Sequence, residues 1–169
     1  QKPFESLPAG KQAELLAMDR SANARLFAGK VNSDAYLRYL VKELKPYIDA
    51  HYSVHTDPAN TVVMGSSMGG LISLYAISEY PEVFGSAACL STHWPGKFTM
   101  DDNPIPEAFF SYMQKQLPDP ASHRLYFDYG TATLDALYPP LQDKADAVLR
   151  SKGYGSGNWK TLKFEGAEH

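Results

Sequence analysis

The sequence predicts an α/β fold, a mostly parallel sheet with helices on both faces. Short apolar runs alternate with segments of helical periodicity, and such alternation is typical of parallel strands joined by crossover helices. Of the 169 residues, 44% are hydrophobic and 21% are charged, which is the balance of a globular domain with a sizeable core. We therefore expect a single domain over residues 1–169.

The first third of the chain divides at about residue 31. Residues 1–31 carry scattered prolines and glycines around one helical candidate, 11–19, and are predicted to form a loop or cap segment. From Ser33, a favoured N-cap residue, apolar residues recur at spacings of three and four. This pattern predicts a helix to about Ala50, which Pro46 would bend.

The remaining chain supplies the strands and helices of the sheet. Each apolar, β-branched or aromatic run is short enough for a strand, and each amphipathic segment is long enough for a helix. The predicted strands are 61–65, 86–90, 124–128 and 160–164, and the predicted helices are 69–79, 106–116 and 139–151.

Charge and cysteine content narrow the classes of partner. A net charge of −3 and a pI near 5.9 lack the basic footprint that nucleic acids and anionic membranes require, so we expect neither as a partner. A small neutral or mildly polar substrate fits better. The single cysteine, Cys89, lies in an apolar run and is predicted to be a buried strand residue.

A serine-centred turn follows the first of these strands. Residues 65–69 read Gly-Ser-Ser-Met-Gly, which fits the pattern G-x-S-x-G of a nucleophile on a tight strand-to-helix turn. Only Ser67 fits the register, because centring the pattern on Ser66 would need glycine at positions that hold Met64 and Met68. A phosphate-binding loop is disfavoured, since no Gly-Lys-Ser/Thr follows.

A serine nucleophile needs a base that a third group orients. In this class of turn the chain order is serine, acid, histidine, with the histidine in a late loop. Among five histidines only His169 follows the final predicted strand, so it is the candidate base. The alternative is a frayed, solvated terminal residue.

Several further motifs accompany the serine turn. They are Tyr36-Leu37, Lys45-Pro46-Tyr47-Ile48-Asp49, Gly70-Leu71 directly after the serine turn, Tyr80-Pro81-Glu82-Val83-Phe84-Gly85, Phe127-Asp128-Tyr129-Gly130-Thr131, Leu134-Asp135 and Gly166-Ala167-Glu168-His169. Together they resemble the putative-esterase family of α/β-hydrolases, which includes esterase D-like and enterochelin esterase-like enzymes. The resemblance spans about residues 33–169 and implies an α/β-hydrolase fold, ester hydrolysis, Ser67 as nucleophile, His169 as base and an acid in the loop after Gly130.

Two carboxylates compete for the role of the acid. Asp135 is preferred, because it lies in the loop after the strand, from which a carboxylate can reach back to the imidazole Nδ1. Asp128, at the end of the strand, is the alternative. Relatives often carry the acid closer to the glycine, where this chain has Ala132 and Thr133.

The oxyanion of acyl transfer needs two donors. The backbone N–H of Met68 is expected to be one, and family members supply the other from an earlier segment that this chain does not show. The fold is therefore expected to be incomplete at the N-terminus. His93 and Trp94 follow the strand after the serine turn, at the sheet edge where ligands gather, and are predicted to bind substrate.

Two functional readings follow from these residues. The first is a serine esterase that acts on a small-molecule carboxylic ester through an acyl-enzyme, with no metal or cofactor. The second is a non-catalytic binding relative, or an inactive fragment of an esterase without a complete oxyanion hole. In either case we expect the Ser67 hydroxyl within hydrogen-bonding reach of His169 and a carboxylate behind that ring. The chain expressed alone is expected to be aggregated, dimeric or at least about a hundredfold weaker than a chain extended at the N-terminus.

Overall fold

The computed structural model describes Gly10, residues 31–98 and residues 100–169. By its contacts the chain divides into two compact units, Gln1–Tyr52 and Ser53–His169. The predicted cap over residues 1–31 and the helical candidate 11–19 lie outside the described residues, apart from Gly10 and Val31. The single-domain organisation stays a prediction.

One helical run forms the described part of the first unit. Helix α1 spans Ser33–Tyr39, a π-helical segment spans Leu40–Leu44, and helix α2 spans Lys45–His51. This confirms the predicted helix over 33–50. The π-helical segment ends just before α2 begins. Pro46 lies in the first turn of α2, where a residue without a backbone N–H is best tolerated.

The second unit is built on a four-stranded sheet in which every neighbouring pair is parallel. All predicted strands and helices are present, with ends that differ by two residues or fewer. Short 3₁₀ turns cover Pro58–Asn60 and Thr133–Leu137. The elements in chain order are β1 Val62–Ser66, α3 Met68–Glu79, β2 Ser86–Leu90, α4 Ile105–Gln116, β3 Arg124–Gly130, α5 Pro139–Ser151 and β4 Trp159–Phe164.

Helices α3, α4 and α5 pack on one face of this sheet. The strands follow one another in the order β1-β2-β3-β4, and right-handed crossovers between consecutive neighbours all place their helices on the same side. The covered face buries Ala87, Cys89, Leu125 and Phe127, and so confirms the prediction for Cys89. The predicted α/β fold, a mostly parallel sheet with helices, is confirmed; in residues 53–169 the helices lie on one face.

The second face of the sheet carries exposed apolar side chains. On strand β1, Val62 is 59% exposed and Met64 is 69% exposed, and they stand on the same face. Within the described chain, β1 pairs with a strand on one side only. An apolar face beside an unpaired edge favours association with other chains.

We expect the 169-residue chain, expressed alone, to form dimers or larger species. Met64→Lys should shift it towards monomer, because a lysine opposes edge pairing and removes an exposed apolar side chain. Val54→Lys, at an exposed loop residue outside the sheet, is the control and should not. Light scattering after size exclusion measures the mass, and a monodisperse wild-type monomer would contradict the expectation.

Candidate active site

Ser67 is the single residue between strand β1 and helix α3. Its φ of 59° and ψ of −118° lie in a region that L-residues rarely adopt, at a cost on the order of 1–3 kcal/mol. The turn is fixed from both sides: Ser67 N–H donates to the Leu90 carbonyl at 2.8 Å, and its carbonyl accepts from Gly70 N–H at 3.0 Å and His93 N–H at 3.3 Å. This strained strand-to-helix turn is the geometry of a nucleophile elbow.

The glycines around Ser67 are not equally necessary. A Cβ on Gly65 would lie 2.5 Å from the Gly69 carbonyl oxygen, and a Cβ on Gly70 would lie 2.7 Å from Thr92 Oγ1. A Cβ on Gly69 would meet nothing within 4 Å. A side chain would therefore clash at Gly65 and at Gly70, but not at Gly69, which is the second glycine of the sequence pattern.

This difference gives a matched pair of stability predictions. Gly65→Ala should lower the free energy of unfolding by about 1–3 kcal/mol, because a backbone oxygen blocks the new methyl group. Gly69→Ala should be neutral or stabilising by up to about 1 kcal/mol, since alanine is the better helix former. Urea unfolding measures both, and equal losses would show that the close approach at Gly65 is unimportant.

Asp135 is fully buried at the carboxyl edge of the sheet, in the 3₁₀ turn after β3. Its Oδ1 lies 2.6 Å from His169 Nδ1. Its Oδ2 accepts hydrogen bonds from Gly130 N–H at 2.7 Å and from Ser91 Oγ at 2.8 Å. Both carboxylate oxygens are thus held in place, with one directed at the imidazole.

Asp128 does not face His169. Its Oδ2 accepts from the Tyr126 hydroxyl at 2.9 Å, and its Oδ1 accepts from Ser91 N–H at 3.3 Å. Strand β3 continues two residues past it, so the carboxylate stays on the strand. Between the two candidate acids, the structure brings Asp135 and not Asp128 to the histidine.

The segment that ends in His169 is tied to the loop after β3. The Ala167 carbonyl accepts from Thr131 N–H at 3.0 Å and Ala132 N–H at 2.9 Å, and His169 N–H donates to Thr133 Oγ1 at 3.1 Å. A Cβ on Gly130 would lie 2.1 Å from the Ala167 oxygen, so this approach requires glycine. The His169 side chain is 26% exposed and stands against Asp135, which is not the position of a frayed terminus.

Tyr138 lies between the serine and the two histidines of the site. Its side chain is fully buried, and its hydroxyl is 2.9 Å from His93 Nδ1 and 3.5 Å from His169 Nδ1. Burial and the Asp135 charge raise the pKa of the Tyr138 phenol, while a hydrogen bond with the Ser67 side chain lowers it. Among the described residues no hydrogen bond joins Ser67 Oγ to His169, and the expected direct reach is therefore not observed.

A comparison with known proteins shows the family of this chain. The profile of a family described as putative esterase matches residues 7–146. The chain belongs to this family. The match ends before His169, so the place of that residue in the site rests on the contacts above.

The relatives of this esterase-family chain are longer than it is. Over 60 residues it is 35% identical to the uncharacterized protein YbbA of Bacillus subtilis, covering 35% of this chain and 24% of YbbA. A ferulic acid esterase structure superposes with a TM-score of 0.60 at 18% identity, over 78% of this chain and 53% of that one. The enterobactin esterase of Shigella flexneri superposes with a TM-score of 0.60 at 20% identity, over 78% of this chain and 33% of that one. These likenesses show the α/β-hydrolase fold.

The two predicted substrate-binding residues have different positions. His93 is buried beside the site, with the half-exposed Phe98 ring 5.8 Å from its own. Trp94 has no exposed surface; it packs against Phe127 and donates its indole N–H to Gln142 at 2.8 Å. A fully buried indole cannot touch a substrate unless the loop rearranges, so the prediction for Trp94 is corrected to a core residue that supports the loop.

Met68, the predicted oxyanion donor, follows Ser67 directly, and its role stays a prediction. Met68 is the first residue of α3, and the first N–H groups of a helix have no partner within it. Their partial positive charge favours a negative atom near Ser67. The Met68 side chain is half exposed at this end of the helix.

Sequence reasoning missed Ser91 and Tyr138. Ser91 comes directly after β2 and donates to Asp135, and its φ of 39° turns the chain there. Its position after a strand was a usable signal, whereas nothing in the spacing distinguished Tyr138 from an ordinary aromatic before a helix. In the described part of the chain no cluster of histidine, cysteine or acidic residues could hold a metal ion, and no helix could span a membrane.

Proposed function

We propose that this family member is a serine esterase that cleaves a small-molecule carboxylic ester through an acyl-enzyme. Ser67 is the nucleophile, His169 the general base and Asp135 the orienting acid. The observation that carries the proposal is the 2.6 Å contact between Asp135 Oδ1 and His169 Nδ1 beside the strained Ser67 turn. A buried carboxylate that holds Nδ1–H leaves Nε2 free to accept a proton.

Acylation begins with attack of Ser67 Oγ on the ester carbonyl carbon. His169 Nε2 takes the hydroxyl proton, and the charge of the resulting imidazolium is balanced by Asp135. The Met68 N–H donates to the developing oxyanion. The tetrahedral intermediate then collapses, the carbon–oxygen bond to the alcohol breaks, and His169 returns its proton to the leaving oxygen.

Deacylation repeats these roles with water. His169 Nε2 removes a proton from a water molecule, whose oxygen attacks the acyl carbon on Ser67. Collapse of the second intermediate releases the carboxylic acid and returns the proton to Ser67. No step requires a metal or a cofactor, and the proposal includes neither.

Ser67 Oγ, which makes no hydrogen bond to His169 in the unliganded structure, approaches the imidazole before attack. A rotation about Cα–Cβ moves Oγ between staggered wells without moving the backbone. Catalytic hydrogen bonds are often long or misaligned in unliganded enzymes and tighten when substrate binds. The resting position of Ser67 is therefore compatible with the proposed role.

A small organic ester is the proposed partner, with an apolar or aromatic group near the serine. The exposed side chains of Met68 and Phe98 favour such a group on hydrophobic grounds. The matched structures are named for ferulic acid and enterobactin, both of which contain aromatic rings, and this supports the same class of substrate. Nucleic acid and membrane are not proposed as partners.

Hydrolysis of p-nitrophenyl acetate, with parallel fluorophosphonate labelling, tests the proposal. We expect a burst of p-nitrophenol equal to the amount of active protein, then slower turnover, because acylation and deacylation are separate steps. Fluorophosphonate should label Ser67 and abolish the burst. Turnover that survives complete labelling of Ser67 would contradict the proposal.

The second candidate is a binding relative that does not turn over. It is favoured by two observations: within residues 31–98 and 100–169, Met68 N–H is the only oxyanion donor that we identify, and no hydrogen bond joins Ser67 Oγ to His169. One donor is worth roughly 10²–10³ in rate. Fluorophosphonate labelling of Ser67 without ester turnover would favour this candidate.

A further inference from the structure

The Tyr138 side chain is held in place within the site, but it has no role in the proposed triad. Its backbone N–H donates to the Asp135 carbonyl at 2.9 Å, so the phenol is mounted on the same turn as the acid. Its ring meets the His169 ring edge-on, with centroids 5.8 Å apart at 84°. On the other side its ring centroid is 6.1 Å from that of His93. The phenol therefore separates the two imidazoles.

Only one orientation of the Tyr138 O–H bond is compatible with the hydrogen bonds of the neighbouring side chains. The ionised Asp135 can only accept, so His169 Nδ1 must carry the proton of their 2.6 Å contact and cannot accept one from Tyr138. The remaining acceptor is His93 Nδ1, at 2.9 Å. Tyr138 then donates to His93, and its oxygen lone pairs face the His169 Nδ1–H and the Ser67 hydroxyl.

The state of His93 agrees with this assignment. Burial lowers the pKa of His93, as does the nearby His169, against a raising effect of Asp135. A neutral imidazole has one acceptor nitrogen, and His93 Nε2 makes no hydrogen bond to any residue that the structure describes. It is therefore free to carry the proton of the ring, which leaves Nδ1 as the acceptor. The titratable groups that face His93 are Tyr138, Asp135 and His169.

We propose that Tyr138 is a positioning residue for His169, and that His93 is the group that aims the Tyr138 hydroxyl. An oxygen lone pair beside Nδ1–H adds to the field of Asp135 and favours the imidazolium that forms in the transition state. His93 secures that lone pair by taking the hydroxyl proton. The inference rests on the proposed esterase function, and it adds two residues to the three of the proposed triad.

A double-mutant cycle tests the pair in the esterase assay. Tyr138→Phe keeps the ring and should lower kcat about tenfold with KM changed less than about twofold, because the lost interaction acts on the transition state. His93→Phe should lower kcat by a similar factor, and the double variant should be no worse than Tyr138→Phe alone. His93→Asn keeps an acceptor at the position of Nδ1 and should stay within about threefold of wild type.

Tyr154→Phe is the matched control. Tyr154 is also buried and donates its hydroxyl to a backbone carbonyl, that of Pro118, at 3.0 Å. This variant should leave kcat within about twofold. Equal kcat losses for Tyr138→Phe and Tyr154→Phe, or multiplicative losses in the double variant, would overturn the proposal.

Histidine ¹⁵N NMR of the wild-type protein tests the proton assignment without turnover. We expect His93 to be neutral with a bare Nδ1, and His169 to carry its proton on Nδ1. In Tyr138→Phe the pKa of His93 should rise, because the neutral form loses a donor. A proton on His93 Nδ1 would overturn the proposal even in an active enzyme. Conversely, a bare Nδ1 in a protein without turnover would support the pair while refuting the esterase function.

Discussion

Ser67→Ala is expected to abolish ester hydrolysis, by a factor on the order of 10⁶ in kcat. In the proposed mechanism the Ser67 hydroxyl oxygen is the atom that bonds to the acyl carbon. Initial rates with p-nitrophenyl acetate at saturating substrate measure the loss. The variant should remain folded, because the Ser67 hydroxyl makes no contact that the turn depends on; its backbone hydrogen bonds fix the turn.

Ser66→Ala is the matched control for the nucleophile. Ser66 is the last residue of β1 and an immediate neighbour of Ser67, but it is exposed on the opposite side of the strand and outside the elbow. We expect its kcat within about tenfold of wild type. Equal losses in the two variants would contradict the register of the motif.

Asp135→Asn should lower kcat by about 10⁴. The amide can donate a proton to His169 Nδ1, which would place the imidazole proton on Nε2 and leave no base for Ser67. Gly130 N–H and Ser91 Oγ both donate to the place of Oδ2, so they hold the asparagine oxygen there and direct the amide nitrogen at His169. Steady-state kinetics measure kcat, and circular dichroism checks the fold.

Asp128→Asn is the control for the acid. Its oxygens are engaged by Tyr126 and by the Ser91 backbone, and an asparagine Oδ1 can accept one of those bonds. We expect kcat within about tenfold of wild type, roughly 1.4 kcal/mol of barrier. A larger loss here than in Asp135→Asn would move the role of the acid to Asp128.

The local chemistry of the chain was sufficient to predict its elements. Short apolar runs and segments of helical periodicity located each β-strand and α-helix in residues 31–98 and 100–169, though not the 3₁₀ turns, and the glycines around Ser66 and Ser67 located the elbow. Chain order and the family resemblance selected Asp135 and His169, and the structure brings those two side chains together. Such features depend on residues close in sequence or on an order that the fold class imposes.

What depended on long-range packing was not predictable. His93 and Tyr138 meet across 45 positions of the chain, and Gly130 meets Ala167 across 37, with no periodic signal at either pair. The one-sided placement of α3, α4 and α5 follows from strand order, which the sequence pattern does not fix. Trp94 looked like a pocket residue because it follows a strand at the ligand edge, but its indole turns into the core.

Mass spectrometry of an acid-quenched reaction with p-nitrophenyl acetate tests directly whether Ser67 forms an acyl-enzyme. We expect a single acetyl group on the peptide that contains Ser67, formed during the burst and lost as turnover proceeds. Asp135→Asn should form it more slowly, and Ser67→Ala should not form it. An acetyl group that appears during turnover on any other residue, or turnover with no covalent adduct, would refute the proposed mechanism.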